Sequence, residues 1–163
     1  MGEPDRLDER ELRTWEGFLG VSTILNRRVE QQLKDDAGLS HPQYEVLVRL
    51  ANAPGGELRM TELAGAALTS KSGLSYQVTQ LEKAGLVRRR SCTTDVRGIV
   101  AGLTAGGRER LRLAAPGHTS LVRELFISGL TGKQFAGLAE GIGALAERLV
   151  PTEGRFAGGA HFS

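Results

Sequence analysis

Cysteine is nearly missing from this chain: Cys92 stands alone among 163 residues. An internal disulfide framework is therefore excluded, and three scattered histidines (His41, His118, His161) do not complete a zinc site of the usual ligand spacing. Long apolar runs are missing too. No stretch approaches the roughly 20 residues that cross a bilayer, and Met1–Arg13 is charged where a secretory leader would be apolar. No Gly-rich loop precedes a Lys-Ser or Lys-Thr pair, which removes the phosphate-binding loop of nucleotide enzymes. The expectation is a cytoplasmic protein with no membrane contact, no metal and no obligatory cofactor, of a length suited to one core with helical extensions.

A charge imbalance is likewise almost lacking, since the net charge is +2. Its distribution is more informative. Residues 1–39 carry six basic and nine acidic side chains, whereas residues 57–100 carry seven and four, so positive charge gathers in the middle of the chain.

That middle segment has the order of a winged helix-turn-helix. Thr61–Leu68 and a stretch from Ser70 to Gly85 read as two helices, Leu86–Arg90 and Ile99–Leu103 as β segments, and Ser91–Gly98 as the loop between them. Around it, apolar residues from Leu12 to Leu33 recur at helical spacing and predict one long helix over residues 8–34. Ser40-His41-Pro42-Gln43 is a capping box, opening a helix that should bury Tyr44, Leu47, Val48 and Ala51. Asn52–Gly56 is a loop by composition. Thr104 caps a further helix in which Pro116-Gly117 predicts a kink or short break. Thr131–Gln134 is a second capping box, after which Phe135, Leu138, Ile142, Leu145 and Leu149 repeat at three, four, three and four residues. That is a heptad seam, suited to contact between subunits or to packing within the chain. The fold class expected is mainly α (α+β). Its divisions are an N-terminal helix (1–39), a winged helix-turn-helix (40–103), C-terminal helices (104–150) and a disordered tail (151–163), and the resemblance given below implies that the two helical parts serve dimerisation.

In the second helix of the winged segment, Leu74, Val78 and Leu81 share one face and should enter the core. Ser72, Tyr76, Thr79, Gln80 and Lys83 then point outward, flanked by Gly73, Ser75 and Gln77, giving a polar surface nearly free of acid. Such side chains bond base edges or phosphates in a major groove, and Ser70, Lys71 and Ser72 at the helix N-terminus suit a phosphate. Arg88, Arg89, Arg90 and Arg97 belong to the hairpin. Arg89, on a strand, is expected to touch phosphate. Asp95 and Arg97 are two residues apart on the loop, where the carboxylate can orient the guanidinium toward a narrow minor groove.

These stretches resemble the MarR-type (multiple antibiotic resistance regulator) transcriptional regulators. The matching residues are Leu63-Ala64, the run from Ser70 to Arg89 ending Leu-Glu-Lys-Ala-Gly-Leu-Val, Asp95-Val96-Arg97-Gly98, and Leu103-Thr104 with Gly107. The resemblance implies a non-enzymatic, ligand-responsive regulator, a repressor by expectation. It implies a homodimer joined by helices from both chain ends and bound to palindromic double-stranded DNA. It also implies a small aromatic or phenolic effector between the dimerisation helices and the DNA-binding lobe. Arg97 becomes the minor-groove arginine with Asp95 as its partner, and Phe18, His41, Tyr44 and Met60 become candidates to line an effector pocket. The redox-sensing branch of the family places its reactive cysteine in the first helix, unlike Cys92 in the wing. Two other readings stay open: a winged-helix module for protein contacts, and a thiol sensor acting through Cys92, whose arginine neighbours favour a thiolate.

Overall fold

Asp8 opens the longest helix. Its carboxylate accepts from the backbone N–H groups of Arg10 and Glu11, and Glu11 accepts from the Asp8 N–H in return, a reciprocal cap with acids at the positive end of the helix. In this computed structural model, which describes residues 6–66, 70–92 and 98–150, helix α1 spans Glu9–Ala37. It stops at Gly38, whose φ of 63° belongs to the left-handed region that glycine enters without steric cost. The Ser40 box then starts α2 (His41–Asn52), and a 3-10 turn at Pro54–Gly56 leads into β1, Glu57–Arg59. Next come α3 (Met60–Ala66), α4 (Lys71–Lys83), β2 (Val87–Ser91) and β3 (Ile99–Leu103). Helices α5 (Ala105–Val122) and α6 (Gly132–Leu149) complete the order.

The sheet is antiparallel with order β1-β3-β2. Strand β1 was not anticipated, because three residues behind Pro-Gly-Gly carry no periodic signal; its place in the sheet comes from pairing with β3, Glu57 opposite Gly102 and Arg59 opposite Val100. Leu33, Leu39, Leu47, Leu50, Leu63, Leu74, Val78 and Leu81 form the centre of the core, so α4 buries the stripe expected of it. Each such side chain contributes about 1.5–3 kcal/mol by leaving water. Tyr44, Leu47 and Val48 are buried as the capping-box helix predicts, while Ala51 is only half-buried against the same core.

Of the kink or short break expected at Pro116, there is no break: α5 runs through it to Val122. Tertiary contacts hold the turn that lacks a donor. Ala114 is buried and accepts from Gln32 Nε2 at 3.3 Å, and Gly117 comes so close to α1 that any side chain there would strike the Asp36 carboxylate. The irregularity falls later, in a π-helical turn at Arg123–Ile127.

The N-terminal half of α1 and the whole of α6 remain outside this core. Leu12, Trp15, Phe18 and Leu19 are exposed on α1, with Trp15 and Phe18 stacked at 6.0 Å. The seam residues Phe135, Leu138, Ile142, Leu145 and Leu149 are exposed on α6.

Candidate nucleic-acid interface

The Ser70 hydroxyl caps α4 by accepting from the Gly73 N–H at 3.0 Å, and lies 3.2 Å from the Ser72 hydroxyl. With Leu74, Val78 and Leu81 turned inward, Lys71, Ser72, Ser75 and Tyr76 stand exposed, and Gly73, Gln77, Thr79 and Gln80 are half-exposed beside them. The whole set expected to read DNA from this helix therefore lies on one accessible surface. The end of α4 is tied to the rest of the domain. Gly85, at φ 73°, makes the turn into β2; the Thr104 hydroxyl donates to its carbonyl at 2.7 Å, and the Thr104 N–H donates to Leu86 O at 3.1 Å. The first turn of α5 is thus fastened to the exit of the recognition helix.

The wing arginines divide by strand alternation. Arg89 faces α4: its Nε and Nη2 donate to Glu82 Oε2 at 2.9 and 2.7 Å, its backbone N–H donates to Glu82 Oε1 at 3.0 Å, and Nη2 reaches Thr79 Oγ1 at 3.2 Å. Arg89, expected on phosphate, is engaged inside the domain. Its side-chain and backbone bonds hold the Glu82 carboxyl below the usual carboxylate range. Arg88 and Arg90 lie on the opposite face and share Glu57 of β1. Arg90 donates to both carboxylate oxygens, and the Arg88 guanidinium lies 3.7 Å away. The Arg90 hydrogen bond, aided by the charges of Arg90 and Arg88, lowers the Glu57 pKa, and the same bond with the negative charge of Glu57 raises that of Arg90. Neither carboxylate was singled out from sequence, because each meets its arginines only once the sheet has formed.

At the base of the wing the half-buried Cys92 donates its N–H to Gly98 O at 2.7 Å. Asp95 and Arg97 lie outside the described residues.

The four candidate effector residues lie on three helices, with His41 and Tyr44 together on α2. Phe18 is exposed on α1, and Met60 is half-buried against the core at the start of α3. Tyr44 is buried on α2 with its ring 4.8 Å from that of His118 on α5, a partner not singled out from sequence. His41, in the first turn of α2, donates its N–H to Glu30 Oε2 at 2.6 Å and places Nε2 3.8 Å from Glu45 Oε1. Burial, with the nearby His41 as a second cause, lowers the His118 pKa, and burial raises that of the Tyr44 hydroxyl. The His118 Nδ1 is buried with no hydrogen-bond partner. Among the described residues no cluster of His, Cys, Asp and Glu could hold a metal ion, and no helix is long and apolar enough to cross a membrane.

An exposed polar helix beside a three-stranded wing defines the winged helix-turn-helix class of DNA-binding proteins. Residues 39–99 match the family model described as MarR family. The chain is similar to Sco3205, a MarR family transcriptional regulator from Streptomyces coelicolor solved in complex with DNA: 42% identity, TM-score 0.87, covering 94% of this chain and 96% of that one. It is also similar to AbsC, a MarR family transcriptional regulator from the same organism, with 39% identity, TM-score 0.83 and coverage of 88% and 97%. Among curated proteins, transcriptional regulator HosA of Escherichia coli O111:H- is 35% identical over 66% of this chain and 75% of its own length. The chain belongs to the MarR family of transcriptional regulators.

Proposed function

We propose that this regulator acts as a homodimeric, ligand-responsive repressor on pseudo-palindromic double-stranded DNA, with α4 in the major groove and Arg97 in the minor groove. The observation that carries the reading is the outer surface of α4. Lys71, Ser72, Ser75 and Tyr76 are exposed together, and the helix's one acidic side chain, Glu82, is engaged by Arg89. Such a surface fits a groove lined by acceptors and phosphates. The DNA held by its relative Sco3205 supports the same partner.

Dimerisation is supported by the unpartnered apolar faces of α1 and α6, too extensive for a monomer to leave in water at no cost. Residues 1–39 and 104–150 would join two subunits, each presenting residues 40–103 to one half-site. Small aromatic acids or phenols are the proposed effectors, received where α2 meets α5 beside Tyr44 and His118. A ligand there would act on α5, whose first turn is fastened to the exit of α4 through Thr104. Selection from a random duplex library should return inverted repeats with half-sites about one helical turn, ~10 base pairs, apart. Unrelated single sites would overturn the dimeric reading. Titrating a panel of aromatic acids and phenols against the selected complex tests the effector, whose class fails if no member changes affinity.

A further inference from the structure

The strand that leaves the recognition helix turns back and grips it. Glu82 is the one acid between Lys71 and Lys83, on a helix whose neighbouring side chains are suited to phosphates. An unpaired carboxylate there would repel DNA, yet both of its oxygens are taken by Arg89, through the guanidinium and through the backbone N–H. The same guanidinium reaches Thr79 one turn earlier, and the Thr79 hydroxyl donates onward to Ser75 O at 2.8 Å. Two points on α4 are thereby bonded to one residue of β2. A planar, multiply bonded guanidinium fixes direction as well as distance, which a point charge such as a lysine ammonium does not.

We propose that Glu82 and Arg89 are positioning residues for DNA recognition, setting the angle between α4 and the wing so that both reach their grooves in the same bound geometry. Arg89 then acts through Glu82 and Thr79, with no phosphate of its own. The inference rests on the DNA-binding reading above. It also reverses an electrostatic expectation: removing the Glu82 charge should weaken specific binding, although it makes the surface more positive.

The test uses the full chain, a duplex selected by the wild-type protein from a random library, and a scrambled duplex of equal length and composition. Glu82→Gln and Arg89→Lys are compared with wild type after the binding-competent fraction of each has been counted by stoichiometric titration. Each variant is expected to lose about tenfold in affinity for the selected duplex, the scale of a charge-assisted hydrogen bond. Affinity for the scrambled duplex should be unchanged or higher, and the salt slope unchanged for Arg89→Lys. The double variant should be no weaker than the weaker single one, because the two residues work as a unit. Should Arg89→Lys not fold, the near-isosteric Glu82→Gln carries the test. Binding by Glu82→Gln that equals or exceeds wild type on the selected duplex overturns the proposal. So do losses that vanish once the competent fraction is corrected, or equal losses on both duplexes. A wild-type protein that selects no duplex overturns the DNA-binding reading itself, and the proposal with it.

Discussion

Glu57 and Gly102 face each other across β1 and β3, and a side chain on Gly102 would begin 3.0 Å from the Glu57 carboxylate. Arg88 of β2 is the next residue in the same row, opposite Gly102. The bare glycine leaves a channel over the central strand through which Glu57 reaches the arginines of the far strand. Seven basic residues in the winged segment therefore overstate the positive charge it presents, since Glu57 engages Arg88 and Arg90 while Glu82 engages Arg89.

Glu57→Gln should release that restraint. Binding to any duplex is expected to tighten, and the dependence on salt to steepen by up to about two units of slope if both arginines then reach phosphates. Gly102→Ala, which crowds the carboxylate out of its channel, should act in the same direction more weakly. Equal slopes for wild type and Glu57→Gln across a salt titration would mean that Arg88 and Arg90 never meet DNA.

The seam on α6 predicts the consequence of one charge. Leu145 is 52% exposed, so Leu145→Asp leaves the core of a single subunit untouched. In a dimer it would bury a carboxylate at the joint and lose the roughly 1.5–3 kcal/mol that a covered leucine contributes. Sedimentation of the variant at micromolar concentration is expected to give a monomer, with an unchanged circular dichroism spectrum and weakened binding to an inverted repeat. An unchanged dimer would show that α6 is not the joint.

Acid should destabilise the junction of α2 and α5. The folded-state pKa of His118 lies below its ordinary value, first through burial and then through His41, so the unfolded chain binds the proton more readily. Stability from this site is complete above the unfolded value of about 6.5 and declines as pH falls through it toward the folded value. Of the charged groups in this region, Glu30 and Glu45 adjoin His41, Asp36 lies against Gly117, and His41 acts on His118 in the same direction as burial. Melting temperatures of His118→Gln should fall less between pH 7.5 and pH 5.5 than those of wild type, over conditions set by that pKa of about 6.5. Parallel curves would remove His118 as the acid-sensitive group.

Helices with strong local signals are legible in the sequence. The Ser40 and Thr131 boxes and the stripe of Leu74, Val78 and Leu81 all specify structure within a few residues of themselves, and they appear where the pattern puts them. Strand β1 was not legible, because its three residues become a strand only by pairing with β3 more than forty positions away. The roles of Glu57 and Glu82 were hidden for the same reason: an arginine run reads as basic until the sheet brings a carboxylate to it. At Pro116 helix propensity allows a kink or a short break, and the helix is unbroken there, packed against α1 at Gly117.

Asp95 and Arg97 lie in sequence between β2 and β3, outside the described residues. Arg97→Ala should cost on the order of 1–3 kcal/mol of affinity for the selected duplex and relax any preference for A·T-rich flanks, because one guanidinium in a narrow minor groove senses both its width and its potential. Asp95→Ala discriminates between orientation and bulk charge. Removing a negative charge tightens binding if the wing is a diffuse basic patch, and weakens it if Asp95 holds Arg97 in the conformation that enters the groove. The pair can be separated from general electrostatics by its coupling: with Arg97 already replaced, Asp95→Ala should no longer weaken binding. Affinity that rises on Asp95→Ala in the presence of Arg97 would instead assign the wing a sequence-independent role, leaving discrimination among operators to the exposed face of α4.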